Sequence, residues 1–373
     1  MNYTKQIDAD ALHTFTRTLF EKLGIQPDQA VDAANVLLYA SRRGVETHGV
    51  RNIKPIYHRQ ITNDVTNRNP TFKIDYETPV SARVDGDAGL GLAAGPWAMR
   101  LAMQKARESG IGMVTVHNSY HYGAAGYYPW LALSEDLIGI SMTGRFYSEG
   151  AEYGVLPTYG AKSMFSTNPI AVSFPTAKEP PWVLDMATSV VPFNRVTMLR
   201  DNNVQIPLGW GVTEDGELTT DPSLVRSLFP LGGERATGGH KGYGLMMMVS
   251  VLCNVLSGGW DGGVAGKSMG FNNDGHFFAA LRVDLFRPLE EFKEAMDEMI
   301  RALHEAPKAK GHDRIYVAGE IEHETEQFRV AHGIPLTEFV ANDLQELAEE
   351  HGIPFPAEPI TPEVAAATKD SYR

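Results

Sequence analysis

The sequence predicts an α/β protein whose core is flanked by helices from both chain ends. Three observations lead there. Short β-rich runs bounded by turn residues fill the middle of the chain, and amphipathic helical stripes fill its two ends. No repeat with a period of about 20–50 residues and no low-complexity tract breaks that arrangement. At 373 residues the chain has length for roughly two or three domains and a sizeable core. We divide it into an N-terminal helical segment (1–75) packing with the C-terminal helices, an α/β core (76–285), and a C-terminal helical segment (286–373).

In chain order, Leu12, Phe15, Leu19, Phe20 and Leu23 recur at helical spacing and Gly24 closes the run. Val31, Ala34, Leu37, Leu38 and Ala40 make a second stripe that ends at Ser41-Arg42-Arg43-Gly44. A polar stretch from Thr62 to Thr71 precedes the first β-rich runs, and a helix is expected at 95–108. The strand expectations are 113–117, 138–142, 170–174, 182–185, 277–283 and 315–317. Gly144 to Lys162 reads as a loop-rich, exposed centre. Leu245 to Leu256 is an apolar run of about a dozen residues, too short for a bilayer span of ~20, and reads as a buried helix. Charged helices return after Leu289, and the Pro- and Ala-rich tail after Ile353 reads as loosely held.

Composition narrows the function. Hydrophobic residues at 43% and charged residues at 21% are ordinary for a globular protein. The 33 Lys and Arg against 46 Asp and Glu leave a net charge of -13, which argues against nucleic acid and anionic membrane as partners. A lone cysteine, Cys253, supports neither an internal disulfide nor a cysteine-rich metal site, and a reducing, cytoplasmic setting is the simplest reading. The first 24 residues mix charge throughout and lack the apolar centre of a signal peptide.

The motifs are weak one at a time. Gly89, Gly91 and Gly95 imitate a dinucleotide fingerprint before a helix, but the spacing is one residue too long, so turn and packing roles are expected instead. Thr47-His48 sits where a helix stops at glycine; a positioned imidazole there can exchange the proton that accompanies carbonyl reduction, or the pair can simply cap and bond to backbone. His121 follows a strand and precedes Gly123-Ala124-Ala125-Gly126, small residues that let backbone approach a ligand. His117 and His121 stand four apart, a metal-ligand spacing, yet no acidic residue or third ligand accompanies them, and no metal is expected. Ser166-Thr167-Asn168-Pro169 and the 183–189 run offer amides and hydroxyls to a polar ligand, or form ordinary tight turns. Gly238-Gly239-His240-Lys241 opens the apolar helix as a plausible phosphate cradle.

Taken together and in order, RGVETHGV, VHNSYHYGAAGYY, STNPIAVSFP, VLDMATSVV, IPLGW with TTDP, and GGHKGYGL resemble the malate/L-lactate dehydrogenase family of the type-2 kind. The family also holds ureidoglycolate dehydrogenase, diketogulonate reductase, sulfolactate dehydrogenase and cyclic imino-acid reductases. The resemblance runs from about Asp8 to about Gly333. It implies a non-Rossmann mixed-sheet fold, a nicotinamide cofactor (NAD or NADP) and a homodimer, usually intertwined. Carried over by position, it makes His121 and His48 the catalytic residues. It assigns Leu184, Asp185, Met186, Ala187, Thr188, Ser189, His240, Lys241, Gly319 and Glu320 to the cofactor.

Departures from the family pattern bear on the substrate. Where many members have arginine four and tyrosine eight residues after the motif histidine, this chain has Asn52 and Ile56, with Arg51 and Tyr57 displaced by one. One residue turns a helical side chain by about 100°, so an inward orientation of Arg51 and Tyr57 does not follow from the resemblance. The family's lysine after the 185–189 segment is Arg195. Thr47, Arg51 and Arg145 are the residues expected to meet a carboxylate substrate, since a guanidinium can grip one with two hydrogen bonds. The resulting expectation is an NAD(P)-dependent oxidoreductase interconverting a 2-hydroxy acid and its 2-oxo acid. Reduction of a cyclic imino-acid C=N bond and non-catalytic metabolite binding are the alternatives.

Overall fold

A strand, Ser81–Gly89, runs parallel to a second, Ile111–Ser119, and the helix Gly91–Ser109 makes the crossover between them. This βαβ unit is the one parallel pairing in a seven-stranded sheet; its other ladders are antiparallel. From edge to edge the strands are Trp182–Met186, Ile170–Phe174, Leu137–Gly144, Asp274–Arg282, Ile111–Ser119, Ser81–Gly89 and Lys73–Glu77. The computed structural model describes residues 2–260 and 274–368.

The fingerprint-like glycines serve close packing. A Cβ on Gly91 would lie 2.1 Å from the Tyr120 carbonyl oxygen, and one on Gly95 would lie 2.5 Å from the Tyr128 ring. Side chains there would push the crossover helix off the chain segment that carries His121. The helix also starts earlier than expected, because Leu90 and Leu92 bury on the sheet and extend its apolar face.

The helices of both chain ends form one body. Ala9–Lys22 packs on Pro27–Arg42 and on Glu338–His351, and Pro27–Arg42 packs on the crossover helix and on Glu320–His332. A strand that the sequence reading missed, Tyr3–Ile7, pairs with Ile334–Thr337 and with Glu358–Pro359. The tail is therefore tied down as far as residue 368. The Phe355 ring packs at a tilt against Phe15, with centroids 5.0 Å apart, and Val364 is buried. Proline and alanine in this tail carry backbone pairing and burial, which composition alone does not reveal.

Three further expectations are corrected. The segment 315–317 forms no strand; it runs beside Trp182–Met186, where the Val183 amide donates to the Ala318 carbonyl. The loop-rich centre contributes two strands, Phe146–Ala151 and Gly154–Val155, to a five-stranded sheet completed by Ser163–Phe165, Gly211–Val212 and Ser227–Leu228. That sheet has its own small core of Val155, Phe165, Val196, Ile206 and Leu228. The apolar helix, α-helical over Gly239–Ser250 and π-helical over Val251–Val255, buries only one side, through Met246, Val249 and Cys253. Met247, Met248, Val251, Val255 and Leu256 are exposed on its other side, because no other described part of the chain covers that face.

Candidate active site

Arg42 ends a helix, and Gly44 (φ 77°) turns the chain into two short 3-10 turns, Glu46–His48 and Val50–Asn52. These turns place Thr47 and His48 on the wall of a cavity of about 450 Å³. The Thr47 hydroxyl lies 2.8 Å from His48 Nδ1. Asn52, the residue that departs from the family pattern, is buried; its side chain and that of Asn194 both donate to the Thr47 carbonyl, at 2.9 and 2.7 Å. The departure therefore braces the histidine turn.

The next segment, Ile53–His58, is a π-helix. Its hydrogen bonds span five residues rather than four, so it absorbs one extra residue while keeping the later side chains on their face. Tyr57 consequently points inward and is fully buried, with its hydroxyl 2.7 Å from His121 Nδ1. The Gly123 amide lies 3.3 Å from the same nitrogen. The strand Ile111–Ser119 delivers His121 from the other direction, and the two imidazoles stack with centroids 5.7 Å apart and planes 14° apart. His48 lines the cavity; His121, stacked on it, is half-buried rather than sealed in the core.

The electrostatics favour neutral rings. Surrounding protein desolvates His48 and the neighbouring His121 ring adds to the effect, pulling its pKa down to about 3. Desolvation and then the Arg145 charge pull His121 down to about 4. A third imidazole, His276, is stacked on Tyr122 at 4.9 Å with Nδ1 2.8 Å from the Thr143 hydroxyl, and burial holds it at about 4. Arg145 is mostly buried and pairs with Asp274 at 2.8 Å.

Across the cavity the edge strand Trp182–Met186 presents Leu184 and Asp185. The Asp185 carboxylate accepts the Gly126 amide at 2.7 Å and otherwise opens on the cavity. Its depth in the protein raises its pKa to about 6, against the opposing effect of that amide. Ala187 and Gly319 also line the cavity. Gly319 has φ 89°, and a Cβ there would come within 3.0 Å of the Val183 backbone. Arg43, paired with Glu326 at 2.8 Å, donates to the Gly319 carbonyl and fixes that loop.

The structure does not gather every expected residue. Thr188 and Ser189 are buried, and their hydroxyls donate to backbone carbonyls of Asn168 and Val191. Met186 stands at the end of its strand, away from the cavity wall. Glu320 is committed to Arg314, His304 and the Val317 amide. His240 bonds to Arg235 at 3.0 Å and Lys241 is exposed, both outside the cavity; Leu231, which donates to the Thr188 carbonyl, links their helix to the 184–189 segment. Arg51 turns away, pairs with Asp201 at 2.8 Å and lies over Phe339. His117 bonds to Asp75 at 2.9 Å, so it shares no site with His121.

Sequence reasoning missed four contributors. Tyr39 and Arg43 line the cavity from the end of a helix whose stripe reads as core. His276 lies in a central strand among phenylalanines, and Tyr57 sits out of phase for an α-helix. A π-turn is the signal that would have found Tyr57.

The comparisons with known proteins fit this geometry. The model of the family described as malate/L-lactate dehydrogenase matches residues 7–345. The malate dehydrogenase of Pyrococcus abyssi is 42% identical, over 94% of this chain and 96% of its own. The L-sulfolactate dehydrogenase of Methanocaldococcus jannaschii is 33% identical, over 90% of this chain and 94% of its own. The chain belongs to the malate/L-lactate dehydrogenase family. The crystal structure of malate dehydrogenase from Entamoeba histolytica superposes with a TM-score of 0.87 at 34% identity, covering 95% of this chain and 99% of that one. Like its family relatives, the protein is a hydroxy-acid dehydrogenase with the mixed-sheet α/β fold expected, and a nicotinamide dinucleotide is its cofactor class.

The cavity suits that cofactor class. Pro169, Val183, Leu184 and Val317 give apolar walls for a flat ring, and Asp185 is an acceptor facing a space where hydroxyl or carboxamide donors would sit.

The three depressed histidines have a consequence for folding. Each takes up a proton in the unfolded chain near pH 6.5 but in the native protein only near pH 3 to 4, so stability present at neutral pH is lost as pH falls through that window. Asp185, with its raised pKa, acts in the opposite sense below about pH 6 and offsets one of them. The urea midpoint is expected to drop between pH 6.5 and 4. His276→Gln should make that slope shallower; an unchanged slope would show that His276 is not buried in its neutral form.

Proposed function

We propose that the protein interconverts a small 2-hydroxy dicarboxylic acid of the malate kind and its 2-oxo acid, with NAD or NADP as hydride partner. The observation that carries this is the stacked pair His48 and His121, with Tyr57 at His121 Nδ1 and the Arg145 charge near enough to lower the His121 pKa. The 42% identity to a malate dehydrogenase supports the choice of malate over other hydroxy acids.

His121 is the acid/base in this reading. With Nδ1 engaged by Tyr57, Nε2 is the nitrogen left for the substrate oxygen. For Nε2 to act as the base, Nδ1 carries the ring proton and donates it to the Tyr57 hydroxyl oxygen, which accepts it in the neutral ring and in the imidazolium alike. His48 has the lower pKa and repels a second positive charge, so of the two rings His121 takes the proton first. When bound, the nicotinamide supplies hydride exchange with the substrate carbon. The alcohol proton goes to His121 as the carbonyl forms, and it returns in the reverse direction. Arg145, close enough to lower the His121 pKa, is the proposed carboxylate holder, and Thr47 on the cavity wall next to His48 is the proposed second contact; the Arg145 charge also favours an anionic substrate over a neutral one. Both guanidiniums are paired to a carboxylate, but Arg51 lines a different pocket, with Met198 and Leu336, and is not assigned to the substrate.

Leu184, Asp185, Ala187 and Gly319 are proposed to hold the cofactor, with His240 and Lys241 serving its phosphates from the helix start. Among the described residues no helix is long and apolar enough to cross a membrane. The cytoplasm is the proposed location, supported by the lone, buried, free thiol of Cys253, which suits a reducing compartment. We also propose a homodimer, supported by the exposed apolar face of Met247, Met248, Val251 and Val255. Sedimentation should give a dimer for the wild type and a monomer for Met248→Asp/Val255→Asp; a monomeric wild type would overturn this.

Fluorescence titration with NADH and with NADPH should show saturable binding of at least one. A panel of 2-oxo acids and cyclic imines should then give turnover on oxaloacetate-like acids. His121→Ala should lower kcat by about a thousandfold or more, the upper part of the general acid–base range, with cofactor affinity nearly unchanged. Turnover on cyclic imines alone, or no binding of either nucleotide at millimolar concentration, would overturn the assignment.

A further inference from the structure

One cluster lies outside the catalytic apparatus and joins the two ends of the chain. His58 closes the π-helix Ile53–His58, while Glu350 and His351 close the helix Glu338–His351, which packs against it. The Nε2 atoms of His58 and His351 face each other at 3.4 Å, and the Glu350 Oε1 lies 3.8 Å from each of them. The two rings meet edge to face with centroids 5.6 Å apart. Both imidazoles are largely covered, with side-chain exposures of 15% and 18%, whereas Glu350 is 57% exposed.

The dimensions are those of a metal tripod. A triangle with sides of 3.4, 3.8 and 3.8 Å has a centre about 2.1 Å from each corner, against Zn–N and Zn–O bonds of about 2.0–2.2 Å. Two imidazoles and one carboxylate suit zinc or a similar first-row divalent ion better than magnesium or calcium, which prefer all-oxygen ligands. The neighbouring cation, Lys54, is outweighed by Asp343 and Glu346, so together with Glu350 the surroundings carry a net negative charge that favours an entering cation. The plain alternative is one imidazole N–H donating to the other imidazole nitrogen, with no affinity for metal.

We propose that His58, Glu350 and His351 form a zinc-class divalent metal site that clamps the π-helix to the C-terminal helix. With Glu350 drawn in until its two separations are also about 3.4 Å, the ion leaves the plane of the three atoms and a fourth ligand, water, completes a tetrahedron on the solvent side. The clamp holds the residue next to Tyr57, so an ion there stiffens the segment that positions His121. The proposal stands on the three side chains alone and does not depend on the substrate or cofactor assignment.

The test uses the untagged, full-length protein, stripped with chelator and titrated with Zn(II) against a competing chromophoric chelator. One equivalent should bind, and the thermal midpoint should rise with zinc concentration. Co(II) at the same site should give the strong visible bands of tetrahedral coordination. His58→Gln and His351→Gln should each weaken binding at least a hundredfold and abolish both the Co(II) bands and the zinc-dependent rise. Glu350→Gln should weaken it about tenfold. Should either histidine variant fail to fold, the wild type alone decides: no bound equivalent and no tetrahedral Co(II) spectrum would overturn the site. Binding that survives in folded His58→Gln and His351→Gln would place the ion elsewhere and overturn it equally.

Discussion

The hydrogen bond between Tyr57 and His121 is the contact through which the two halves of the site meet. Tyr57 comes from the N-terminal helical body, and His121 comes off a central strand of the seven-stranded sheet. For the two to meet, the sheet must end where Gly91 lets the crossover helix sit against Tyr120, and the helix of Tyr57 must adopt π geometry. Neither condition is met by local propensity alone. Both are imposed by packing, since the buried Tyr57 ring and the strand end are each fixed by neighbours on several sides.

That construction also explains the electrostatic character of the site. Three imidazoles are brought into surroundings where a positive charge is poorly solvated, and Arg145 adds its own repulsion. The rings are held neutral at physiological pH, the state a base needs when it removes a proton from an alcohol. An anionic substrate near Arg145 would ease both penalties at once, so substrate binding and proton uptake favour each other. On the far wall Asp185 has the opposite tuning, a carboxylate raised toward neutrality by its depth in the cavity.

Much of this was legible in the sequence where period and punctuation agree. The strand Ile170–Phe174 matches its expected bounds, and the two N-terminal helices end near their glycines, because apolar spacing and turn residues pointed the same way. The family motifs brought out His48, His121 and Asp185. What escaped had weak local signals. Gly154–Val155 and Ser227–Leu228 are too short to show alternation, and Tyr3–Ile7 is a strand only because the C-terminal segment pairs with it on both sides. The helix ending near Leu256 reads as buried from hydropathy alone, yet half its apolar surface faces outward. Arg51 carried the right chemistry, but Asp201 holds it on another face. Tyr57 looked misplaced only under the assumption of 3.6 residues per turn.

The most direct test of the account is the pH dependence of kcat/KM for malate oxidation in the wild type and in Tyr57→Phe. Removing the hydroxyl leaves the buried ring in place and takes away the shorter of the two contacts at His121 Nδ1, leaving the Gly123 amide. The account predicts a kcat lowered by about a hundredfold, the lower end of the range for general acid–base catalysis, with cofactor affinity unchanged and a displaced acidic limb. A Tyr57→Phe enzyme with wild-type kcat and an unmoved profile would contradict it, and would leave His121 without the contact on which its role is argued.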